Sequence, residues 1–279
     1  MAVHCRAARR CGLIEAMAKS QKELAFLRDL VADEWTRRFT EFVDKHIDLS
    51  DADNLLYVNA GTGGHALVLD KKWGEKTDIF TSCENEDLLT IARDKAAAVS
   101  SKVDFSTMRF EDDAFDAVLA DASFVRPDDL ENLLQDVVRT GRIGSDIAIF
   151  LPTAGSFGEV VSLLWEVLFT EDLGEHGAAA EKIITDISTV SRIEEIAERA
   201  GLVNVQTHTA IEVFEYENGA EFIASPLVAD FLMPVWFEML DENAKEQVTE
   251  KLAQLIDAED GTLSFRFSVK ATLLTGVKE

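Results

Sequence analysis

Apolar and polar positions along this chain follow two rhythms, a helical one at each end and short apolar runs between them. From about Ala18 to His46, Leu24, Leu27, Leu30, Val31, Trp35, Phe39, Phe42 and Val43 recur at helical spacing. That spacing predicts one or two amphipathic helices ahead of the first strand. Polar Asp48–Asp53 connects them to apolar Leu55–Asn59, a strand, and then to a helix reaching about Lys71. Strands follow at Thr77–Cys83 and, stunted, at Val103–Thr107, with a helix at Asp87–Val99 between them. Phe115–Ala120 reads as a buried strand, Pro127 opens a helix over Asp128–Thr140, Gly141 and Gly144 break it, and Asp146–Leu151 is a fifth strand. This alternation predicts a parallel sheet covered on both faces.

The last third changes character. A helix at Gly158–Thr170 leads into a polar loop containing Gly174 and Gly177, and a helix at Ser191–Ala200 ends at Gly201. Two long strands, Val203–Glu215 and Ser264–Thr275, flank a largely helical stretch, Ala220–Ala258, that carries Phe222, Phe231, Trp236, Phe237 and Leu240. Those aromatics are expected to form the core of a lid-like insertion.

Between the first strand and its helix the chain reads Asn59-Ala60-Gly61-Thr62-Gly63-Gly64-His65-Ala66. Gly61 and Gly63 let backbone approach a ligand, and the helix start offers free N–H groups to an anion. The turn places the chain among cofactor-binding α/β folds. His65 is expected on the helix surface.

Composition narrows the function classes. With 52 acidic against 27 basic side chains the net charge is −25, which disfavours nucleic acid and anionic membranes. Apolar residues make up 47% of the 279, enough for a sizeable core. Cys5, Cys11 and Cys83 are too few for a disulfide framework, and the histidines show no metal-ligand spacing with them. No apolar run reaches the ~20 residues a membrane helix requires. The expectation is a soluble cytoplasmic protein with a small-molecule substrate, no metal, no nucleic acid and no membrane insertion; oligomeric state is not legible. Residues 1–16, basic and free of acids before Glu15, are expected to be a disordered tail; a short targeting segment and a true start at Met17 are the alternatives. The remainder, 17–279, reads as one domain: helices over 17–50, a cofactor-binding half over 51–155, and a second half over 156–279 with the insertion at 220–260.

Several segments in this order resemble the class I S-adenosylmethionine-dependent methyltransferases, and within them the bacterial small-molecule branch of the ubiquinone/menaquinone type. Leu56-Tyr57-Val58-Asn59-Ala60-Gly61-Thr62-Gly63 falls on the family's first signature, and Asp87–Arg93 on the helix after the second strand. Met108–Asp116 resembles the run into strand four, and Arg139–Gly144 the turn before strand five. Ala200–Val205 and Ala271–Gly276 resemble the terminal strand pair. The resemblance implies a Rossmann-like α/β fold with seven strands, mostly parallel, an antiparallel last strand, and S-adenosylmethionine as cofactor. It implies Asn59, Ala60, Gly61 and Gly63 beneath the methionine part, Glu84 at the ribose, Asp104 and Phe105 beside the adenine, and Asp121 at the crevice. The activity implied is methyl transfer to a small, partly apolar acceptor held between the helices around Trp35 and the aromatic insertion.

The chain departs from that pattern at three places. Tyr57 replaces the signature's acid, Asn59 its first glycine, and Cys83 the ribose-binding carboxylate, with Glu84 next to it. Two further readings stand beside the enzyme: a catalytically lapsed methyltransferase-like scaffold, and an NAD(P)-binding protein using Gly61-x-Gly63-x-x-Ala66 with Glu84 at the ribose. No side chain is identified as a catalytic base, because methyl transfer from a sulfonium requires alignment more than proton transfer.

Overall fold

Strand β1 (Asn54–Val58) buries three successive residues, Leu55, Leu56 and Tyr57, as a strand covered on both faces must. It lies inside a seven-stranded sheet, between β2 (Asp78–Ser82) and β4 (Phe115–Asp121), with β3 (Asp104–Ser106), β5 (Gly141–Thr153), β6 (Leu202–Tyr216) and β7 (Phe265–Lys278) completing it. The order is β3-β2-β1-β4-β5-β7-β6. Strands β1 to β5 pair in parallel, while β7 runs antiparallel to both β5 and β6. The two long terminal strands are therefore neighbours, as expected, and the order differs from the 3-2-1-4-5-6 arrangement of dinucleotide-binding folds. The computed structural model describes residues 19–49, 51–259 and 264–279. The expected N-terminal tail and the start at Met17 lie outside these.

Eleven α-helices are described: α1 (Gln21–Leu30), α2 (Arg37–His46), α3 (Gly64–Trp73), α4 (Glu86–Val99), α5 (Leu130–Thr140), α6 (Gly158–Thr170), α7 (Gly177–Thr185), α8 (Val190–Arg199), α9 (Gly219–Ala224), α10 (Met233–Trp236) and α11 (Glu242–Glu259). One face of the sheet packs on α5 and α8 through Leu134, Val137, Ile193 and Ile196. The larger core on the other face gathers Trp35, Phe39, Leu69, Leu89, Leu164, Phe222, Trp236 and Val248. Helices α9 to α11 form the insertion between β6 and β7, and Phe222, Trp236, Phe237 and Leu240 are buried in the core there.

Three local expectations are corrected. The segment after Gly174 is helical over α7 rather than a polar loop. Gly177 lets that helix approach α6, since a Cβ there would lie 2.5 Å from the Trp165 ring. Strand β5 begins at Gly141, which pairs with Phe115, and the residues before Asp146 are taken up in a register shift with Gly144 at φ +82°. In α1 the buried stripe is Ala25 and Arg28, while Leu30 and Phe26 are exposed. A π-helical turn, Ala32–Thr36, separates α1 from α2 and resets which side faces inward.

Candidate functional site

The site is built on the turn that leaves β1. Asn59, Gly61 and Gly63 hold φ of +56°, +57° and +76°. Asparagine is one of the few side chains that adopt the left-handed region without heavy cost, so Asn59 keeps the turn where the resembled family has glycine. Its Nδ2 donates to the Asp121 carbonyl at 3.1 Å, and the Ala60 N–H donates to the Ser82 carbonyl at 3.0 Å. These bonds tie together the carboxyl ends of β1, β2 and β4. Phe105 lies directly beneath: a Cβ on Gly63 would meet its ring at 2.5 Å. Phe105 is thus a buried support for the turn.

Beyond β2, Cys83 points into the core, and burial pushes its thiol up to about 12. Glu84 turns the other way. Its Oε2 accepts the Gly61 N–H at 3.1 Å, and 31% of the side chain stays open to solvent. Asp121, at the end of β4, is buried and accepts the Ser123 N–H at 2.7 Å.

Arg28 of α1 reaches between these two carboxylates. Its Nη2 stands 3.9 Å from Glu84 and 3.7 Å from Asp121, and its guanidinium carbon lies 3.6 Å over the Phe124 ring. Neither ion pair closes to hydrogen-bond distance, and Nη1 is buried without a partner. Desolvation consequently outweighs attraction at every member. Burial pushes the Glu84 and Asp121 carboxyls above their ordinary values and the Arg28 guanidinium below its own, each opposed by the charges across from it. Asp29, next to Arg28, holds α1 in place: its Oδ1 accepts Thr62 Oγ1 at 2.6 Å and also bonds Lys95.

From Gly61 a crevice of about 350 Å³ runs between the π-helical turn and α2 on one side and α3 on the other. Tyr57, His65, Asp44, Thr40, Arg28 and Asp121 line it. Tyr57 is 1% exposed, and its hydroxyl lies 3.2 Å from His65 Nδ1. His65, expected on the helix surface, has a buried side chain, set between Tyr57 and Asp44.

Asn59, Ala60, Gly61, Glu84 and Asp121 therefore converge, with Gly63 and Phe105 forming the floor. Asp104 does not join them. It opens β3, pairs with Phe80 two residues before the carboxyl edge, and is exposed. Only Ser106, level with Ser82, reaches that edge. The enclosure expected between Trp35 and the insertion is filled by rings: Trp35 packs on Phe39, Phe124, Phe157 and Phe214, and Phe157 on Trp236. Sequence reasoning missed Arg28, Asp44 and His65. The available signal was Arg28 lying in line with Ala25 and Trp35 on one face of an otherwise apolar stripe.

No protein-family model and no curated protein matches this sequence significantly. Solved structures do match it in shape. A putative methyltransferase from Bacillus halodurans superposes with a TM-score of 0.55 at 13% identity, covering 87% of this chain and 99% of the other. The YcgJ protein from Bacillus subtilis gives 0.54 at 13%, covering 88% and 99%. Phosphoethanolamine N-methyltransferase 2 from Haemonchus contortus, in complex with phosphomonomethylethanolamine and S-adenosylhomocysteine, gives 0.52 at 14%, covering 93% of this chain and 58% of its own. The chain thus has the Rossmann-like fold of these structures, with the antiparallel β7 set between β5 and β6.

Proposed function

We propose that this chain binds S-adenosylmethionine at the turn from Asn59 to Gly63 and transfers its methyl group to a small acceptor. One observation carries the reading: Glu84, just past the carboxyl end of β2, turns its carboxylate onto the Gly61 N–H of the turn. A carboxylate there suits two adjacent ribose hydroxyls, which are donors that one acceptor group satisfies together. The residues at the turn fit the methionine end of the cofactor as well. Arg28 Nη1, buried and unpartnered beside the turn, suits a carboxylate, and the left-handed Gly61 leaves room for close backbone approach. Bound there, the cofactor supplies an electrophilic methyl on sulfonium. The chain's own residues bind, orient and exclude water.

Titration calorimetry with S-adenosylhomocysteine tests this. Micromolar binding is expected, and Glu84→Ala weakens it by about 10- to 100-fold, the loss of charge-assisted hydrogen bonds worth ~1.5–3 kcal/mol. The lapsed-scaffold reading also has an observation behind it: the Tyr57 ring fills space at the position of the resembled family's acid. No binding at millimolar ligand decides for that reading.

A further inference from the structure

Asp44, His65 and Tyr57 form a chain of polar groups along the crevice wall. Tyr57 Oη lies 3.2 Å from His65 Nδ1, and His65 Nε2 lies 3.7 Å from Asp44 Oδ2. Burial raises the Tyr57 hydroxyl well above its ordinary value, and Asp121 and Glu84 add to the rise. Relay geometry needs the tautomer in which Tyr57 Oη donates to Nδ1 and the ring's own proton sits on Nε2, facing Asp44. The imidazole beside it holds the Asp44 carboxyl below its ordinary value, with Lys72 Nζ 3.6 Å from the other oxygen contributing. His65 Nε2 and Asp44 Oδ1 are buried without a hydrogen-bond partner. The crevice also carries a charge preference. Asp33, Glu41, Asp44 and Asp121 line it against Arg28 and Arg37, so a cation is favoured.

We infer that the crevice binds an amine arriving as an ammonium ion, and that Tyr57, His65 and Asp44 carry away the proton it must lose before methylation. This rests on the methyl-transfer reading. The ammonium N–H bond breaks toward Tyr57 Oη while the Tyr57 proton passes to His65 Nδ1, and Asp44 faces the imidazolium so formed. The freed lone pair on nitrogen forms the new N–C bond as the bond from methyl carbon to sulfur breaks, its electron pair leaving with a neutral thioether. Tyr57 is the catalytic residue, His65 and Asp44 its positioning residues. Arg28 of α1, Glu84 beyond β2 and Asp121 of β4 face Tyr57, and Lys72 of α3 faces Asp44; all of them set the field along the relay.

Three readouts on the full chain test the inference. With tritiated S-adenosylmethionine and the small-molecule fraction of a cell extract, and with unreacted donor first adsorbed on charcoal, label is expected in the pool retained by cation exchange. Tyr57→Phe and His65→Gln lower that label by about 100-fold, while S-adenosylhomocysteine affinity stays at the wild-type value. Wild-type transfer carries a solvent isotope effect from the moving proton, and Tyr57→Phe and His65→Gln lose it. Magnetic resonance of isotope-labelled histidine gives a readout independent of turnover: neutral His65 carries its proton on Nε2, and the Nδ1 signal shifts in Tyr57→Phe. A proton on Nδ1, full transfer by Tyr57→Phe, or label outside the cation pool or in no pool overturns the inference. A wild type that binds no S-adenosylhomocysteine overturns the methyl-transfer reading, and this one with it; that failure is seen in the titration alone.

Discussion

Arg28 Nη2 and Asp121 Oδ2 stand 3.7 Å apart in a buried pair that joins the first helix to the end of β4. Taking the charge away from one side leaves the other desolvated and unpaired. Arg28→Met, which keeps the stem's bulk, is expected to destabilise the fold at neutral pH by about 3 kcal/mol, measured as a fall in the urea midpoint.

That loss depends on pH with a definite sign. Asp121 and Glu84 already titrate above their ordinary values of 3.8 and 4.5, because burial favours the neutral acid. A carboxyl whose folded pKa is raised favours the folded state below its unfolded pKa and loses that advantage as pH rises through the folded one. Removing Arg28 raises both further. The gap between Arg28→Met and wild type should therefore narrow as pH falls from neutral toward the ordinary carboxylate range. A gap that widens on acidification would contradict the cluster.

The three glycines of the turn should separate cleanly on alanine substitution. Gly63→Ala meets both a left-handed φ and the Phe105 ring, and is expected to cost about 3 kcal/mol. Gly61→Ala meets only the left-handed φ, with Arg28 Nε 3.9 Å away, and should cost about 1–2 kcal/mol. Gly64→Ala has open space at the start of α3 and should be neutral or stabilising by up to about 1 kcal/mol. Denaturant melts of the three variants check the ranking.

Asn59 should accept glycine and reject alanine. Asn59→Gly keeps the left-handed residue and loses one hydrogen bond to the Asp121 carbonyl, a loss of about 1 kcal/mol. Asn59→Ala adds the left-handed strain, about 1–2 kcal/mol more. Equal midpoints for the two variants would remove the backbone argument.

Cys83 should be inert in the folded protein. Its thiol is buried and pushed up to about 12, so the reactive thiolate is scarce near neutral pH. Alkylation mapped by peptide mass is expected to spare Cys83 until denaturant is added.

Much of the sheet was legible in the sequence because its signals are local. Three consecutive buried apolar residues in β1, glycines at left-handed positions, and the apolar run of β4 each identify an element without reference to the rest of the chain. The terminal strand pair was also legible, since both strands are long and bounded by turn residues. Glu84 was expected to serve only if β2 ran one residue longer; β2 ends at Ser82, and the Glu84 side chain reaches the Gly61 N–H from beyond the strand.

Tertiary structure decided the rest, through contacts between residues far apart in the chain. Asp104 was misplaced because one polar residue in a three-residue strand does not reveal the pairing register, and pairing with Phe80 puts it short of the crevice. Arg28 shares the inward stripe of α1 with Ala25, and its burial between two carboxylates is decided by the docking of that helix through Asp29 on Thr62. Asp44, His65 and Tyr57 belong to three separate elements, and no spacing rule joins them. The helical pattern of the first segment established that an amphipathic helix exists. Packing against the glycine turn determined that an arginine, rather than a leucine, faces the site, because the buried charge finds Asp121 and Glu84 only in the folded chain.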